Sequence, residues 1–494
     1  MNGPPDKEER PPDPECPVAK VGVQLSAVTH KHLDRVRAFY QVAPRGLNRI
    51  ARSYRRVLAH YYNFIVPPDA TVLEVGCGAG HLLAELHCRR VVGIDISQQQ
   101  IEEARRRIPN GEFHIQSGEQ LALPGERFDY IIVSDTLNLV ADVQQVFHRL
   151  QTVAHHRTRL VLNFHSALWR PIFYAATRLG LKAMQPQSSW LAKSDVINLL
   201  NLAQWEVIKT QSRILLPLGG PFAGLINRYL APLVEWSCLT VFCIARPRRS
   251  APEPVACSVS VIIPARNESG NIQSAVDRMP AMGTSTELIF VEGHSRDNTW
   301  QEIRRVASNF PERKIKILQQ TGKGKGNAVR EGFAIATGDI LMILDADLTM
   351  PPEELPKYYD VIASGTAEFA NGVRLVYPMQ EQAMRFLNLC ANKLFSIVFT
   401  WLLSQPVKDT LCGTKVLRRV DYQMIAANRV YFGDFDPFGD FDLLFGADKL
   451  SLKIADVPIR YVDRAYGQTN IERWKHGLLL LRMVFFAAKK LKFV

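Results

Sequence analysis

Two short apolar runs on this chain end in residues that carry chemistry, and each has the character of a buried strand. Val72 to Val75 leads into Gly76, Gly78 and Gly80; Ile340 to Leu344 leads into Asp345, Ala346 and Asp347. Strand-like and helix-like stretches alternate around both runs. Such alternation commits a chain to parallel sheets with helices on both faces. Strands are expected at Thr71–Val75, Val91–Asp95, Glu112–Ile115, Tyr130–Val133 and Leu160–Phe164, with helices at His81–Cys88 and Ser97–Arg107. Helical periodicity precedes them from His30 to Tyr62. Arg246 to Pro254 is a linker by composition, and the alternation restarts after it. Strands are expected there at Val259–Ile263, Leu288–Val291, Ile315–Gln319 and Ile340–Leu344, and helices at Gly270–Arg278, Thr299–Ala307 and Gly326–Ala336. The fold class is α/β in two domains, residues 26–247 and 257–494, with a disordered tail over 1–25 and a linker over 248–256.

A chain of 494 residues has room for two to four domains. Its net charge of +12 points to anionic partners. No nucleic-acid motif is evident, which leaves phosphate-bearing substrates and an anionic membrane surface. The eight cysteines form no CxxC pair and no zinc spacing, as in a reduced, cytoplasmic compartment. Met1 to Pro17 is Pro-rich and charged and lacks the apolar core of a signal peptide. No run of 18 uncharged apolar residues occurs. Phe222–Ala245 is interrupted by Asn227, Arg228 and Glu235, Leu387–Leu403 by Asn388, Asn392 and Lys393, and Leu478–Val494 by Arg482, Lys489, Lys490 and Lys492. A basic apolar helix of the last kind lies on a membrane surface, so peripheral attachment at the cytoplasmic face is expected.

In the first half, glycines after a buried strand let the backbone approach a ligand. A dinucleotide fingerprint would read GxGxxG; here the third glycine comes one residue early. Asp95 closes the second strand about 20 residues on, where a carboxylate can accept from ribose hydroxyls. Glu74, Gly76, Gly78, Gly80 and Asp95, with the later Phe128 to Asp135, resemble the class I S-adenosylmethionine-dependent methyltransferases, over roughly residues 30–247. The resemblance implies a Rossmann-like methyltransferase fold. It implies a cofactor site of Glu74, Gly76, Cys77, Gly78, Gly80, Asp95, Ile96, Ser117, Gly118, Glu119 and Ser134. Ser117 stands where many relatives carry an acidic adenine-binding residue. His165, just after a strand, is the candidate base facing an acceptor, with Asp135 placed similarly.

In the second half, Asp345 and Asp347 would point to opposite faces if the strand continued. They converge only if the chain turns, and Met350, Pro351 and Pro352 are expected to supply the break. Paired hard oxygens at a strand end suit Mg²⁺ or Mn²⁺ beside a nucleotide diphosphate. Val259 to Glu268, Phe290 to Thr299 and Gly324 to Ala328 precede the pair in order. Together these segments resemble a family 2 glycosyltransferase of GT-A fold. The resemblance implies that Pro264, Ala265, Arg266, Glu268, Glu292, Asp297, Lys325, Asp345, Ala346 and Asp347 hold a UDP- or GDP-sugar.

Further segments at Asn371–Arg374, Arg385, Asp409–Lys415, Phe441–Leu444 and Ile459–Thr469 resemble the dolichyl- and polyprenyl-phosphate sugar synthases. A lipid phosphate is already ionised and attacks the sugar with inversion, without a strong base; Arg374, Arg385, Lys415 and Arg464 are the cations to hold it. If the acceptor were a hydroxyl, Asp440 or Asp442 would be the base. Asn470 to Trp474 approaches the QxxRW motif of processive synthases, and Trp474 reads instead as a packing anchor. The combined expectation is a bifunctional enzyme: sugar transfer to polyprenyl phosphate and methylation of a glycan or lipid acceptor. The alternative is a hydroxyl-acceptor glycosyltransferase whose first half is a cofactor-binding regulatory or scaffold module.

Overall fold

The computed structural model describes residues 26–42, 49–179, 189–249, 256–374, 376, 386–431, 441–464, 466 and 473–494. The strands are β1 Thr71–Val75, β2 Arg90–Asp95, β3 Glu112–Ile115, β4 Phe128–Ser134, β5 Ala154–His165, β6 Trp205–Arg213 and β7 Thr240–Pro247. They are followed by β8 Val259–Ala265, β9 Thr286–Glu292, β10 Lys314–Gln319, β11 Ile340–Ile343, β12 Phe369–Val373, β13 Lys415–Arg418 and β14 Ile454–Pro458. Two sheets form, in the orders β3-β2-β1-β4-β5-β7-β6 and β10-β9-β8-β11-β13-β12-β14. By compactness the chain divides into Met1–Gly46 with Pro68–Trp205, and Leu47–Pro67 with Glu206–Val494.

In the first unit, β1 pairs in parallel with β2 and β4, β2 with β3, and β4 with β5. Central strands are buried on both faces: β1 is buried from Val72 to Val75, Glu74 included, whereas the edge strand β3 buries only Phe113. Helix Gln98–Arg107 begins at Ser97, whose hydroxyl accepts from Gln100 N, and ends on Arg105, Arg106 and Arg107, which complement its C-terminal dipole. The helix expected at His81–Cys88 is a single 3-10 turn, Leu83–Glu85. The chain is already extended at Leu86, so the stretch is too short to nucleate an α-helix. The periodicity from His30 to Tyr62 divides into two helices, Ala27–Val42 and Arg49–Ile65.

In the second unit, β8, β9, β10 and β11 are parallel, and β13 runs antiparallel between β11 and β12. β11 is buried at every residue and carries the chemistry-bearing turn at its end. The residues from 206 onward are tied down by buried charge. Arg246 donates to Glu206 at 2.7 and 2.9 Å and to the carbonyls of Gly365 and Thr366. Lys209 Nζ donates to both the carboxylate and the carbonyl of Asp448 at 2.8 Å, with side chains only 6% and 3% exposed.

A buried ion pair is fragile to loss of one partner. Asp448→Ala is expected to lower the stability of the second unit by about 3–5 kcal/mol, whereas Lys209→Met with Asp448→Leu recovers most of it. Denaturant unfolding of the three proteins checks both statements.

Candidate active sites

The glycine loop of the first unit is held by backbone bonds. Gly76 N and Cys77 N both donate to Ile94 O, at 2.8 and 3.0 Å. Gly76 sits at φ +73°, and a Cβ there would overlap the side chain of Thr136. Asp95 at the end of β2 accepts from Gly78 N and Ser97 N, each at 2.9 Å. Burial pushes its carboxyl pKa up against those donors. A carboxylate offers about four acceptor positions, so Asp95 can hold the loop and still accept from a ligand.

The other predicted cofactor residues gather on the same strand ends. Glu74 and Cys77 are buried, and burial drives the Cys77 thiol well up. Ser134 ends β4, and its carbonyl accepts from Thr136 Oγ1. Ile96 links Asp95 to Ser97. Gly118 packs against Val75 and Val146. Glu119 is 1% exposed, and its carboxylate accepts from Ala141 N at 2.8 Å, which fixes the following loop. Ser117 Oγ is buried with no hydrogen-bond partner among the described residues. An orphan hydroxyl beside a glycine loop fits the polar edge of a nucleoside cofactor.

Beyond β4, Asp135 adopts φ +52° and accepts from Asn163 Nδ2 at 2.7 Å. His165 Nε2 lies 3.7 Å from the same carboxylate oxygen. Its ring meets Phe173 edge-on at 5.1 Å, and Phe173 in turn meets Trp190 at 5.8 Å. Sequence reasoning singled out His165 and Asp135 and missed Asn163 and Thr136, which orient them and the glycine loop. Neither belongs to a recognisable spacing.

In the second unit, the turn after β11 comes earlier than expected. Leu348 N donates to Asp345 O, and Leu348 is left-handed at φ +52°. The prolines at 351 and 352 follow the reversal and do not cause it. Ala346 is buried, while Asp345 and Asp347 each meet a cation. Lys325 Nζ, at the start of helix Lys325–Ile335, is 2.7 Å from Asp345. Arg464 bridges Asp347 at 2.6 Å and Glu268 at 2.9 Å. Thr349 steadies Asp347 through its amide and hydroxyl. Burial raises the Glu268 carboxyl pKa, and Arg464 opposes it.

Behind this cluster lie the ends of β8 and β9. Pro264 and Ala265 close β8, Ala265 O accepts from Gly293 N, and Arg266 is exposed at the rim. Glu292, 2% exposed, accepts from Ser295 N. Asp297 accepts from Thr299 and Ser269; burial opposes its ionisation, and these donors overcome it and hold its pKa low.

The predicted acceptor cations are placed differently from one another. Arg464 lies in the aspartate cluster. Arg374 makes a bidentate pair with Asp409 at 2.7 and 2.9 Å. Burial works against both charges, yet their pairing wins: Asp409 falls to about 2, and the guanidinium is held still more firmly charged. Lys415 is fully buried, and its Nζ donates to Cys412 O, bracing the 409–415 loop from within. Arg385 and Asp440 lie outside the described residues, as does the side chain of Trp474. Asp442 is buried, with Arg429 at 3.4 Å. Gly413 was not foreseen as a contact: a Cβ there would overlap Asp345 Oδ2 and Lys325 Nζ.

Among the described residues no three His, Cys, Asp or Glu side chains gather as a metal cage. Two carboxylates alone suit a hard cation that completes its shell with waters and phosphate oxygens.

Residues 68–211 match the family model described as a methyltransferase domain, and residues 260–422 match glycosyl transferase family 2. The chain thus carries a methyltransferase domain and a glycosyltransferase domain. A dolichol-phosphate mannosyltransferase of Pyrococcus furiosus is 30% identical over 221 residues, 43% of this chain and 59% of that protein. An undecaprenyl-phosphate 4-deoxy-4-formamido-L-arabinose transferase of Yersinia pestis is 33% identical over 117 residues, 23% of this chain and 36% of that protein. This chain therefore spans 59% and 36% of the lengths of these two relatives. A solved S-adenosylmethionine-dependent methyltransferase from Thermotoga maritima is 14% identical, covers 44% of this chain and 99% of its own, and has a TM-score of 0.32.

Gly76→Ala forces a Cβ onto Thr136 in a left-handed conformation that costs about 1–2 kcal/mol. Calorimetry is expected to show S-adenosylmethionine affinity reduced at least about tenfold, since 1.4 kcal/mol of lost fit is a factor of ten.

Proposed function

We propose that the chain is a bifunctional transferase. Its second half moves a sugar from a nucleotide-sugar to a polyprenyl phosphate with inversion. Its first half methylates a glycan or lipid acceptor from S-adenosylmethionine. The observation that carries the sugar-transfer reading is the meeting of Asp345, Asp347, Lys325, Arg464, Glu268 and Gly413 at the end of β11.

Asp345 and Asp347 would hold Mg²⁺ or Mn²⁺, which neutralises diphosphate charge when bound. Lys325 and Arg464 pair with the aspartates in the free protein, and they are placed to turn to phosphate oxygens once the aspartates are engaged. Glu292 and Asp297, on the neighbouring strand and loop, would receive the base and ribose, with Pro264, Ala265 and Arg266 along the same edge. The acceptor phosphate attacks the anomeric carbon as its bond to the nucleoside diphosphate breaks. The proton-free nucleophile asks for positive charge rather than a base, which Arg464 supplies. Arg374 shapes the acceptor side through its clamp on Asp409. In the first half, His165, oriented by Asp135 and Asn163, would take a proton from the acceptor as methyl transfers. The enzyme would attach peripherally to the cytoplasmic face of a membrane through its apolar, basic segments.

The reading is tested by incubating the full chain with polyprenyl phosphate, Mn²⁺ and a panel of UDP- and GDP-sugars, with mass spectrometry of the lipid fraction. A glycosyl-phosphoryl-polyprenol is expected; absence of any lipid product across the panel overturns the reading. Asp347→Asn and Gly413→Ala are each expected to lower the rate about 100-fold, the scale for a lost charge contact or a misplacement of about 1 Å. For the first half, a labelled-methyl assay on lipid extracts is expected to give a labelled product in wild type. His165→Ala should lower its rate by about 10²–10⁴, the range for a general base, with cofactor affinity unchanged. Cofactor binding with no turnover on any extract would favour a regulatory module instead.

A further inference from the structure

Five exposed apolar side chains in the second unit recur at helical spacing. Phe222, Leu225, Tyr229, Leu233 and Trp236 are spaced three, four, four and three residues apart. Their exposures run from 50% at Tyr229 to 76% at Trp236. The first four ride on three successive turns of different pitch, Pro221–Leu225, Ile226–Leu230 and Ala231–Leu233, and Trp236 on a fourth, Glu235–Ser237, after a break at Val234. The segment is anchored from behind. Trp401 Nε1 donates to Pro232 O at 3.0 Å, the Tyr229 ring meets Phe493 at 5.6 Å, and Lys492 Nζ reaches Glu235 at 2.9 Å. The C-terminal helix Arg473–Ala487 adds its own exposed face of Leu478, Leu481 and Phe485. No described helix is long and apolar enough to cross a membrane.

A pocket with three basic residues adjoins this stripe. It is lined by His60, Arg228, Tyr431, Lys489, Lys490 and Val494. Arg228 belongs to the same turn as Tyr229 and is fixed by its bond to Phe493 O at 2.9 Å. Tyr431 holds the far wall, donating to Lys490 O at 2.6 Å while the Lys490 ammonium lies 4.6 Å from its ring. Basic side chains lining one pocket favour an anionic ligand over a cationic one. Burial lowers the His60 pKa, and the nearby Arg228 and Arg213 add to the lowering.

We propose that this stripe lies in the interface of an anionic phospholipid bilayer, with a lipid headgroup phosphate in the pocket between Arg228, Lys489 and Lys490. The aromatic and leucine side chains supply non-specific burial, and Trp236 and Tyr229 suit the headgroup level. The basic pocket supplies the preference for anionic lipid. This assignment deepens the peripheral-membrane part of the function proposed above and rests on it. It also places the docking surface in residues outside the sugar-transfer cluster.

The test is co-sedimentation of the full chain with vesicles of phosphatidylcholine alone or with phosphatidylglycerol. Wild type is expected to bind the anionic vesicles at least tenfold more tightly. Arg228→Ala with Lys489→Ala and Lys490→Ala should bind them about 100-fold more weakly, since each basic residue near an anionic surface contributes about 1 kcal/mol. Arg228→Lys with Lys489→Arg and Lys490→Arg should retain binding, which separates charge from misfolding. Phe222→Ser with Trp236→Ser should weaken binding to both vesicle types. Sugar transfer to a detergent-dispersed acceptor should be unchanged in the charge variants, so loss of vesicle binding is distinguishable from failure of the transferase reading. Equal binding of wild type and the triple alanine variant overturns the proposal. So does a dimer in light scattering that Trp236→Ser dissolves, because the face would then cover a second copy.

Discussion

Two carboxylates at the end of one buried strand each meet a cation, and that pairing organises the chemistry-bearing end of the second unit. Lys325 answers Asp345, and Arg464 answers Asp347 while also holding Glu268. The left-handed Leu348 lets both aspartates stay at one site, and Gly413 lets a second loop press against Asp345 without a side chain in the way.

The first unit solves a related problem with backbone instead of charge. Its site also sits where parallel strands end, the place at which open α/β sheets bind ligands. Here the anchoring acid, Asp95, is engaged by two amide N–H groups, and Gly76 N and Cys77 N close onto β2. Backbone groups around one buried acid frame the first site, and ion-paired aspartates frame the second. The two sites therefore differ in electrostatics although their frameworks are alike.

Much of this was legible in residue order. Strand positions followed from buried apolar runs, and most boundaries moved by only a few residues. Misreadings came where local periodicity lacked space or context. The stretch after Gly80 has helical composition but too few residues before β2. The reversal after β11 was assigned to the prolines because their effect is visible in sequence, whereas a left-handed leucine is not. Arg374 and Lys415 were read as cations for an acceptor phosphate, with no view of what positions them. Their partners, Asp409 and the Cys412 carbonyl, are supplied by folding of the 409–415 loop, and no spacing announces them.

The sequence by itself determined that two α/β frameworks are joined, and which acids and glycines stand after β1, β2 and β11, because period and composition fix burial. Only the tertiary structure decided which charges meet. Arg464 lies 117 residues beyond Asp347 and 196 beyond Glu268, and Gly413 reaches Asp345 from a separate loop. Electrostatic pairing acts through space, over a few ångströms, and chain order carries no record of it until the sheet brings those ends together.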